Sequence, residues 1–281
     1  MKRVETIAEV RMLLDAERRE GASVGFVPTM GYLHEGHVAL MEVARRENGV
    51  VAASVFVNPL QFAANEDLAG YPRDLERDMA MSEAAGVDYL FTPSVAEMYP
   101  QPVVTAVSLP SLAARWEGAS RPTHFDGMAT VVSKLFNIIG PCRSYFGEKD
   151  YQQLQIIKRF VADLSAPIEV VGCPIIREPD GLAMSSRNTY LSPDERQAAV
   201  VLRAALDRGM QLLHRRERDS SVVMAAMADV IRAEPLARLD YAAAVEAHTL
   251  EVPERLEGEV RLLVAAQVGR PRLLDNDGLI L

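Results

Sequence analysis

A chain of 281 residues, 49% hydrophobic and 25% charged, is long enough for a sizeable core and two domains, and its composition is that of a globular protein. A formal net charge of −9 argues against a large nucleic-acid surface, because a phosphate backbone is met by an excess of Lys and Arg. No apolar run approaches the ~20 residues that span a bilayer, and the first residues, MKRVETIAEV, hold no secretory core. Cys142 and Cys173 form no Cys-x-x-Cys pair, so the expectation is a soluble cytoplasmic protein with reduced thiols.

Thr6 and Glu9 have the form of a capping box, and Ile7, Val10 and Leu14 continue at helical spacing toward Gly21. Residues 23–27 read as a buried strand. The strand runs into Pro28-Thr29-Met30-Gly31-Tyr32-Leu33-His34-Glu35-Gly36-His37, a turn punctuated by Pro28 and Gly31 that opens a helix through Val38, Met41, Val43 and Ala44. His34 and His37, three apart, share one face at the start of that helix. Unpaired N–H groups at a helix start suit phosphate, and imidazoles there can donate to oxygens that gain charge as a phosphate ester is attacked. The turn is not a P-loop, since His37 and Val38 follow its second glycine, and it is not Gly-x-Gly-x-x-Gly. As a metal pair the histidines lack a third ligand nearby; as a plain helix cap they would need no ligand at all.

Residues 50–57 read as a second buried strand, ending at Asn58-Pro59-Leu60-Gln61-Phe62. Ligands of open α/β sheets bind beyond the carboxyl ends of strands, so Asn58 and Gln61 are candidate substrate contacts, although Asn58 serves equally as a turn starter. Residues 63–71 read as a polar loop and 72–85 as a helix, whose Glu76 and Asp78 fit a solvated face better than a metal site. A strand follows at 87–91. Residues 92–125, with a short strand expected at 103–107 and the single Trp116, have the length of a lid or a partner surface. Arg121 is either a surface arginine or a contact for triphosphate.

From Asp126, the spacing of Met128, Val131, Val132, Leu135 and Ile139 predicts a helix. Arg143-Ser144-Tyr145-Phe146 then feeds Gly147-Glu148-Lys149-Asp150 and a helix with Leu154, Ile157, Val161 and Leu164 inward. Lys149 is a candidate phosphate ligand or an exposed lysine, and Asp150 a ribose acceptor or an N-cap. Gln153, one turn on, would point back over the same crevice. After a strand at 168–172, Met184-Ser185-Ser186-Arg187 puts two hydroxyls and a permanent cation in one loop, equipment for holding polyphosphate. Ser192-Pro193-Asp194-Glu195 opens a helix with Leu202, Leu206, Met210 and Leu213 inward. Another helix (Val223, Met227, Val230) and strands near 239–245, 260–266 and 272–274 complete the chain. The order changes from alternating strands and helices to helices followed by strands, which divides the chain into domains 1–175 and 176–281.

The four residues His34-Glu35-Gly36-His37 resemble the His-x-Gly-His element of adenylate-forming enzymes, and the Met184–Arg187 loop is similar to their mobile Lys-Met-Ser-Lys-Ser loop. With Phe56 to Phe62, Tyr71-Pro72-Arg73, His124-Phe125-Asp126-Gly127, Phe146 to Gln153 and Arg177 to Asn188 in order, the sequence resembles the pantoate–β-alanine ligase family over nearly its whole length. The resemblance implies an α/β fold, a Rossmann-like parallel sheet flanked by helices, with a smaller C-terminal α+β lid domain. It implies ATP-dependent joining of (R)-pantoate to β-alanine through a pantoyl adenylate; the alternatives are a nucleotidylyltransferase that releases the adenylated product and a nucleotide sensor without turnover.

By the same resemblance Met30, Gly31, Tyr32, Leu33, His34, Glu35, Gly36 and His37 form an ATP-binding turn, with His37 as proton donor and His34 beside it. Gly147, Glu148, Lys149 and Asp150 bind ribose and phosphate, Ile176 meets adenine through its backbone, and Met184, Ser185, Ser186 and Arg187 close over the triphosphate. Gln61 holds pantoate and β-alanine, Gln153 holds pantoate, and Asn58 stands with them. ATP is a substrate and brings Mg²⁺ on its phosphates; the metal's protein ligands are unassigned, with Asp78 a candidate acid behind them. No tightly bound organic cofactor, nucleic acid or membrane is expected, and the family implies a homodimer. The paired imidazoles and the serine–arginine flap are expected to wall one crevice.

Overall fold

The computed structural model describes residues 1–62, 68 and 70–281; most of the polar loop expected at 63–71 lies outside the described residues. The chain divides into two compact units, one of Met1–Glu148 with Gln152–Pro174 and one of Lys149–Tyr151 with Ile175–Leu281.

The first unit is built on strands β1 (Lys2–Val4), β2 (Val24–Thr29), β3 (Val50–Val55), β4 (Tyr89–Phe91), β5 (Cys142–Gly147) and β6 (Ile168–Cys173), all parallel, in the order β1-β4-β3-β2-β5-β6. Helices α1 (Ile7–Arg19), α2 (Glu35–Glu47), α3 (Leu75–Ala84), α4 (His124–Ile139) and α5 (Tyr151–Asp163) alternate with them, as parallel connections require. Val24, Gly25, Phe26 and Val27 of β2 and the first five residues of β3 are all buried, the pattern of strands covered on both faces. The strand order reverses on either side of β2, which places the topological switch point between β2 and β5. Those two strands pair only at Gly25 and Phe26. Pro28, with no N–H to give, lies beyond the last pair, so the strands part at the end where a ligand would enter.

The apolar stripe expected on α4 is buried at Met128, Val131, Val132, Leu135 and Ile139. The strand expected at 103–107 does not form. Its valines supply β propensity but find no sheet edge: Val104 is 97% exposed, and the Val107 N–H donates to Thr130 Oγ1 instead of to a strand. Three single-turn helices, Val95–Met98, Pro110–Ala113 and Glu117–Ser120, occupy this irregular stretch. The strand β1, which pairs with β4, is too short to carry a period of its own, and nothing in the sequence announces it.

In the second unit α6 (Val201–His214) and α7 (Ser220–Arg232) accompany an antiparallel sheet of β7 (Ala237–Glu246), β8 (Glu259–Val268) and β9 (Arg272–Ile280). Leu202, Leu206, Met227, Ile231, Leu262 and Val264 make its core. The helix expected from Pro193 is broken. Pro193–Ala198 begins with the Ser192–Glu195 capping box, and ψ then drifts to −23° at Ala199 and −15° at Val200 before α6 starts. Among the described residues no helix is long and apolar enough to cross a membrane.

Candidate active site

The turn after β2 is left-handed at two successive residues, Gly31 (φ +81°) and Tyr32 (φ +51°), the second uncommon for a residue with a side chain. Two groups hold it. Thr29 Oγ1 accepts the Gly31 N–H at 3.1 Å and donates to the Ser54 carbonyl at 2.7 Å. Asp78, reaching in from α3 and 1% exposed, accepts the Tyr32 N–H on Oδ2 at 2.8 Å and the Leu33 N–H on Oδ1 at 2.7 Å. Asp78 therefore does not lie on a solvated face, as expected, but ties α3 to the turn. A side chain on Gly31 would come within 2.8 Å of Asp78 Oδ2 and of Val55. Among the described residues no group of three His, Cys, Asp or Glu is gathered to hold a metal.

His34 then caps α2. Its Nδ1 accepts the Gly36 N–H at 3.1 Å, His37 Nδ1 accepts the His34 N–H at 3.3 Å, and the two rings lie 4.1 Å apart. This is a capping box made of two imidazoles. With each Nδ1 lone pair engaged, the proton of each neutral ring sits on Nε2. Around this helix start the N–H groups of Tyr32, Leu33, His34 and Gly36 are taken within the protein. In that tautomer Nε2–H is the donor each imidazole carries.

Gln61 lies in a short 3-10 turn, Pro59–Gln61, begun by Asn58. Asn58, expected at the substrate, is 1% exposed and engaged by the protein on all sides. Its Oδ1 accepts from Leu60 N–H (3.3 Å) and Tyr99 Oη (2.8 Å); its Nδ2 donates to Gln61 Oε1 (3.2 Å) and to the Gly127 carbonyl (3.1 Å). Gln61 Nε2 in turn approaches Met30 Sδ at 2.8 Å, joining two residues expected in different subsites. His124 Nδ1 lies 3.1 Å from the Gln61 carbonyl oxygen, and a Cβ on Gly127 would fall 2.1 Å from the Leu60 carbonyl oxygen. The motif His124-Phe125-Asp126-Gly127 is thus the floor under Gln61, a role its spacing did not disclose. Gln153 is half-buried in the first turn of α5. Arg121 pairs with Glu117 at 3.7 Å.

In the second unit, Lys149 and Tyr151 are fastened by Asn276 Nδ2 donating to the Lys149 carbonyl (2.8 Å) and by the Arg261 guanidinium lying 4.1 Å over the Tyr151 ring. Lys149 Nζ is 3.8 Å from Asp150. Ser185 caps the short turn Ser186–Tyr190 by accepting the Arg187 N–H at 3.2 Å, and Arg187 is exposed. Lys149, Ser185 and Arg187 line one small cleft together with Asp275. Arg177 grips Asp275 through two bonds, 2.7 and 3.0 Å, and the Gly181 carbonyl at 2.9 Å. The Met184 N–H closes the loop onto the Ile176 carbonyl at 3.0 Å, so that oxygen of Ile176 is occupied.

Residues 2–277 match the family model described as pantoate-beta-alanine ligase. The chain belongs to the pantoate–β-alanine ligase family. Among its relatives is the pantothenate synthetase of Moorella thermoacetica, 52% identical over 98% of both chains. The crystal structure of the pantothenate synthetase from Thermus thermophilus is similar at a TM-score of 0.93, with 51% identity over 99% of each chain. The pantoate-beta-alanine ligase from Francisella tularensis, complexed with β-γ ATP and β-alanine, is similar at a TM-score of 0.78, with 33% identity over 99% of this chain and 97% of that one.

A pantoate–β-alanine ligase needs no thiol or hydroxyl nucleophile, because a carboxylate is nucleophilic already. The two thiols fit that economy. Burial pushes Cys142 up to about 12 and Cys173 up to about 11, and both are free, so at neutral pH each is a protonated packing group.

Proposed function

We propose that the protein joins (R)-pantoate to β-alanine in two steps at the expense of ATP. A carboxylate oxygen of pantoate attacks the α-phosphorus and pyrophosphate departs, leaving pantoyl adenylate. The amine of β-alanine then attacks the acyl carbon, AMP leaves, and the amine proton is released to give pantothenate. The observation that carries this reading is the paired-imidazole turn closing β2 at the sheet's switch point, where nucleotide ligands of open α/β sheets bind.

The barrier lies in bringing anions together and in charge building on phosphate oxygens, so positioning and electrostatics suffice to lower it. Nε2–H of His37 donates to those oxygens and serves as proton donor, with His34 beside it. Lys149, Ser185, Ser186 and Arg187 neutralise and hold the phosphates, and Met184 packs with them. Gly147, Glu148 and Asp150 meet ribose and phosphate, and Ile176 meets adenine. Gln61 and Gln153 hold pantoate, and Gln61 also serves β-alanine. Mg²⁺ would come with ATP, bound mainly through its phosphates, and would help neutralise their charge. Two free thiols, Cys173 buried and Cys142 partly buried, support work in the cytoplasm, and the family resemblance supports a homodimer.

Isotope exchange between pyrophosphate and ATP tests the first step. Exchange is expected with pantoate alone, and free AMP only after β-alanine is added. An adenylated acid that leaves the enzyme and accumulates in solution would replace this reading with that of a nucleotidylyltransferase.

A further inference from the structure

We infer that Tyr99 is a positioning residue which, through Asn58, fixes the Gln61 side chain with its NH₂ rather than its carbonyl turned toward the substrate. The inference rests on the reading of Gln61 as the pantoate contact and deepens it.

The two ends of a carboxamide are distinguished only by their partners, and here the partners decide. Asn58 Oδ1 faces two donors, the Leu60 N–H and the Tyr99 hydroxyl. Its Nδ2 faces the Gly127 carbonyl, which can only accept. Reversing Asn58 would set an amine against an N–H and an oxygen against an oxygen, so its orientation is fixed. The atom of Gln61 that meets Asn58 Nδ2 is therefore its oxygen, and the Gln61 NH₂ is left on the side of Met30. A donor there suits the oxygens of a hydroxy acid and repels an ammonium group. Pantoate is thereby recognised by its carboxylate or hydroxyls, and β-alanine can approach Gln61 only through its carboxylate.

Tyr99 makes the shortest bond to Asn58, at 2.8 Å. Its ring stacks edge-on against Phe56 at 6.0 Å, so the hydroxyl is held in place by packing. Burial pushes the phenol up to about 12, which keeps it a donor throughout the working range.

The experiment is a double-mutant cycle of Tyr99→Phe and Gln61→Ala, with separate KM values for pantoate and ATP. Phenylalanine keeps the ring and its packing and removes only the hydroxyl. Tyr99→Phe alone is expected to raise the pantoate KM about three- to tenfold, the scale of one hydrogen bond, and to leave the ATP KM unchanged. In the Gln61→Ala background the same change is expected to add nothing, because the group it orients is gone. An unchanged pantoate KM in Tyr99→Phe, beside a raised one in Gln61→Ala, overturns the relay and leaves Gln61 at pantoate. Full additivity also overturns it, since Tyr99 would then act elsewhere. An unchanged pantoate KM in Gln61→Ala overturns the assignment of Gln61 itself, and the relay with it.

Discussion

Asp78 accepts the backbone N–H of Leu33 at 2.7 Å across 45 residues of chain, and its other oxygen takes the N–H of Tyr32. A carboxylate is the only side chain of this size with two acceptors so placed. Asp78→Asn would turn an NH₂ toward one of the two backbone donors. The variant is expected to lose about 1.5–3 kcal/mol of stability, the worth of one hydrogen bond to a charged group, in urea denaturation. Pyrophosphate exchange should fall with it, because the Gly31–Tyr32 turn sets the two histidines. A variant of full stability and full exchange would show that the turn holds itself.

Capping and chemistry can be separated at His34. Asparagine is among the best N-cap residues, so His34→Asn is expected to stay within about 0.5 kcal/mol of the parent in thermal melts while losing pyrophosphate exchange. His37→Ala is expected to lower exchange roughly 10²–10³-fold, the scale of one donor to a developing anion. Unchanged exchange in His37→Ala would remove it from the reaction.

Gly127 is the next test. A methyl group there meets the Leu60 carbonyl oxygen at 2.1 Å and Gln61 Cα at 2.7 Å, both backbone atoms that yield only by moving the turn. Gly127→Ala is expected to cost about 1–3 kcal/mol, as overpacking does, and to raise the pantoate KM well above any change in the ATP KM. Equal effects on both substrates would place Gln61 outside the pantoate site.

Gln153 gives an independent check of the proposed pantoate contacts. Gln153→Ala removes an amide from the first turn of α5 without leaving a buried partner unsatisfied, and is expected to raise the pantoate KM with little change in stability. A raised ATP KM in its place would move this residue to the nucleotide.

The thiols predict a pH effect. Both are held protonated by burial, Cys142 up to about 12 and Cys173 up to about 11. Above about pH 8.5, where a thiol in the unfolded chain ionises, the unfolded state releases protons that the native state keeps, so stability falls as pH rises. Urea midpoints measured from about pH 7 to 10 should decline across that range, and less steeply in Cys142→Ala. Rapid alkylation of either thiol in the native protein near neutral pH would contradict this.

The sequence discloses most where a local pattern meets a local cause. The β-branched run of β3, the i, i+3, i+4 stripe of α4, and the box at Ser192 and Glu195 each carry their own period or spacing, and each forms. His34-x-Gly36-His37 likewise announces a helix start, and the two imidazoles cap it. What stays hidden depends on partners far along the chain. Asp78 reads as one more acid on a helix until Tyr32 and Leu33 are found against it. Tyr99 sits in an irregular stretch with no period, and its hydroxyl acquires a purpose only at Asn58, 41 residues away. Asn58 reads equally as a turn starter or a ligand; it does start the turn, and its further bonds to Tyr99 and Gly127 come from residues too distant in the chain to be read locally. The strand expected at 103–107 fails for the converse reason: its residues have the propensity but no neighbouring edge to pair with.

The arrangement of the parallel sheet also bears on how the protein is made. The strand β3 follows β2 closely from the ribosome and pairs with one of its edges, but the other edge of β2 must wait until β5, beginning at Cys142, has been synthesised. Through that interval an apolar strand carries unpaired donors and acceptors, the species that chaperones bind and that aggregates recruit. Slower translation would lengthen the wait, so folding yield in cells should depend on chaperone supply more than on the stability of the finished molecule.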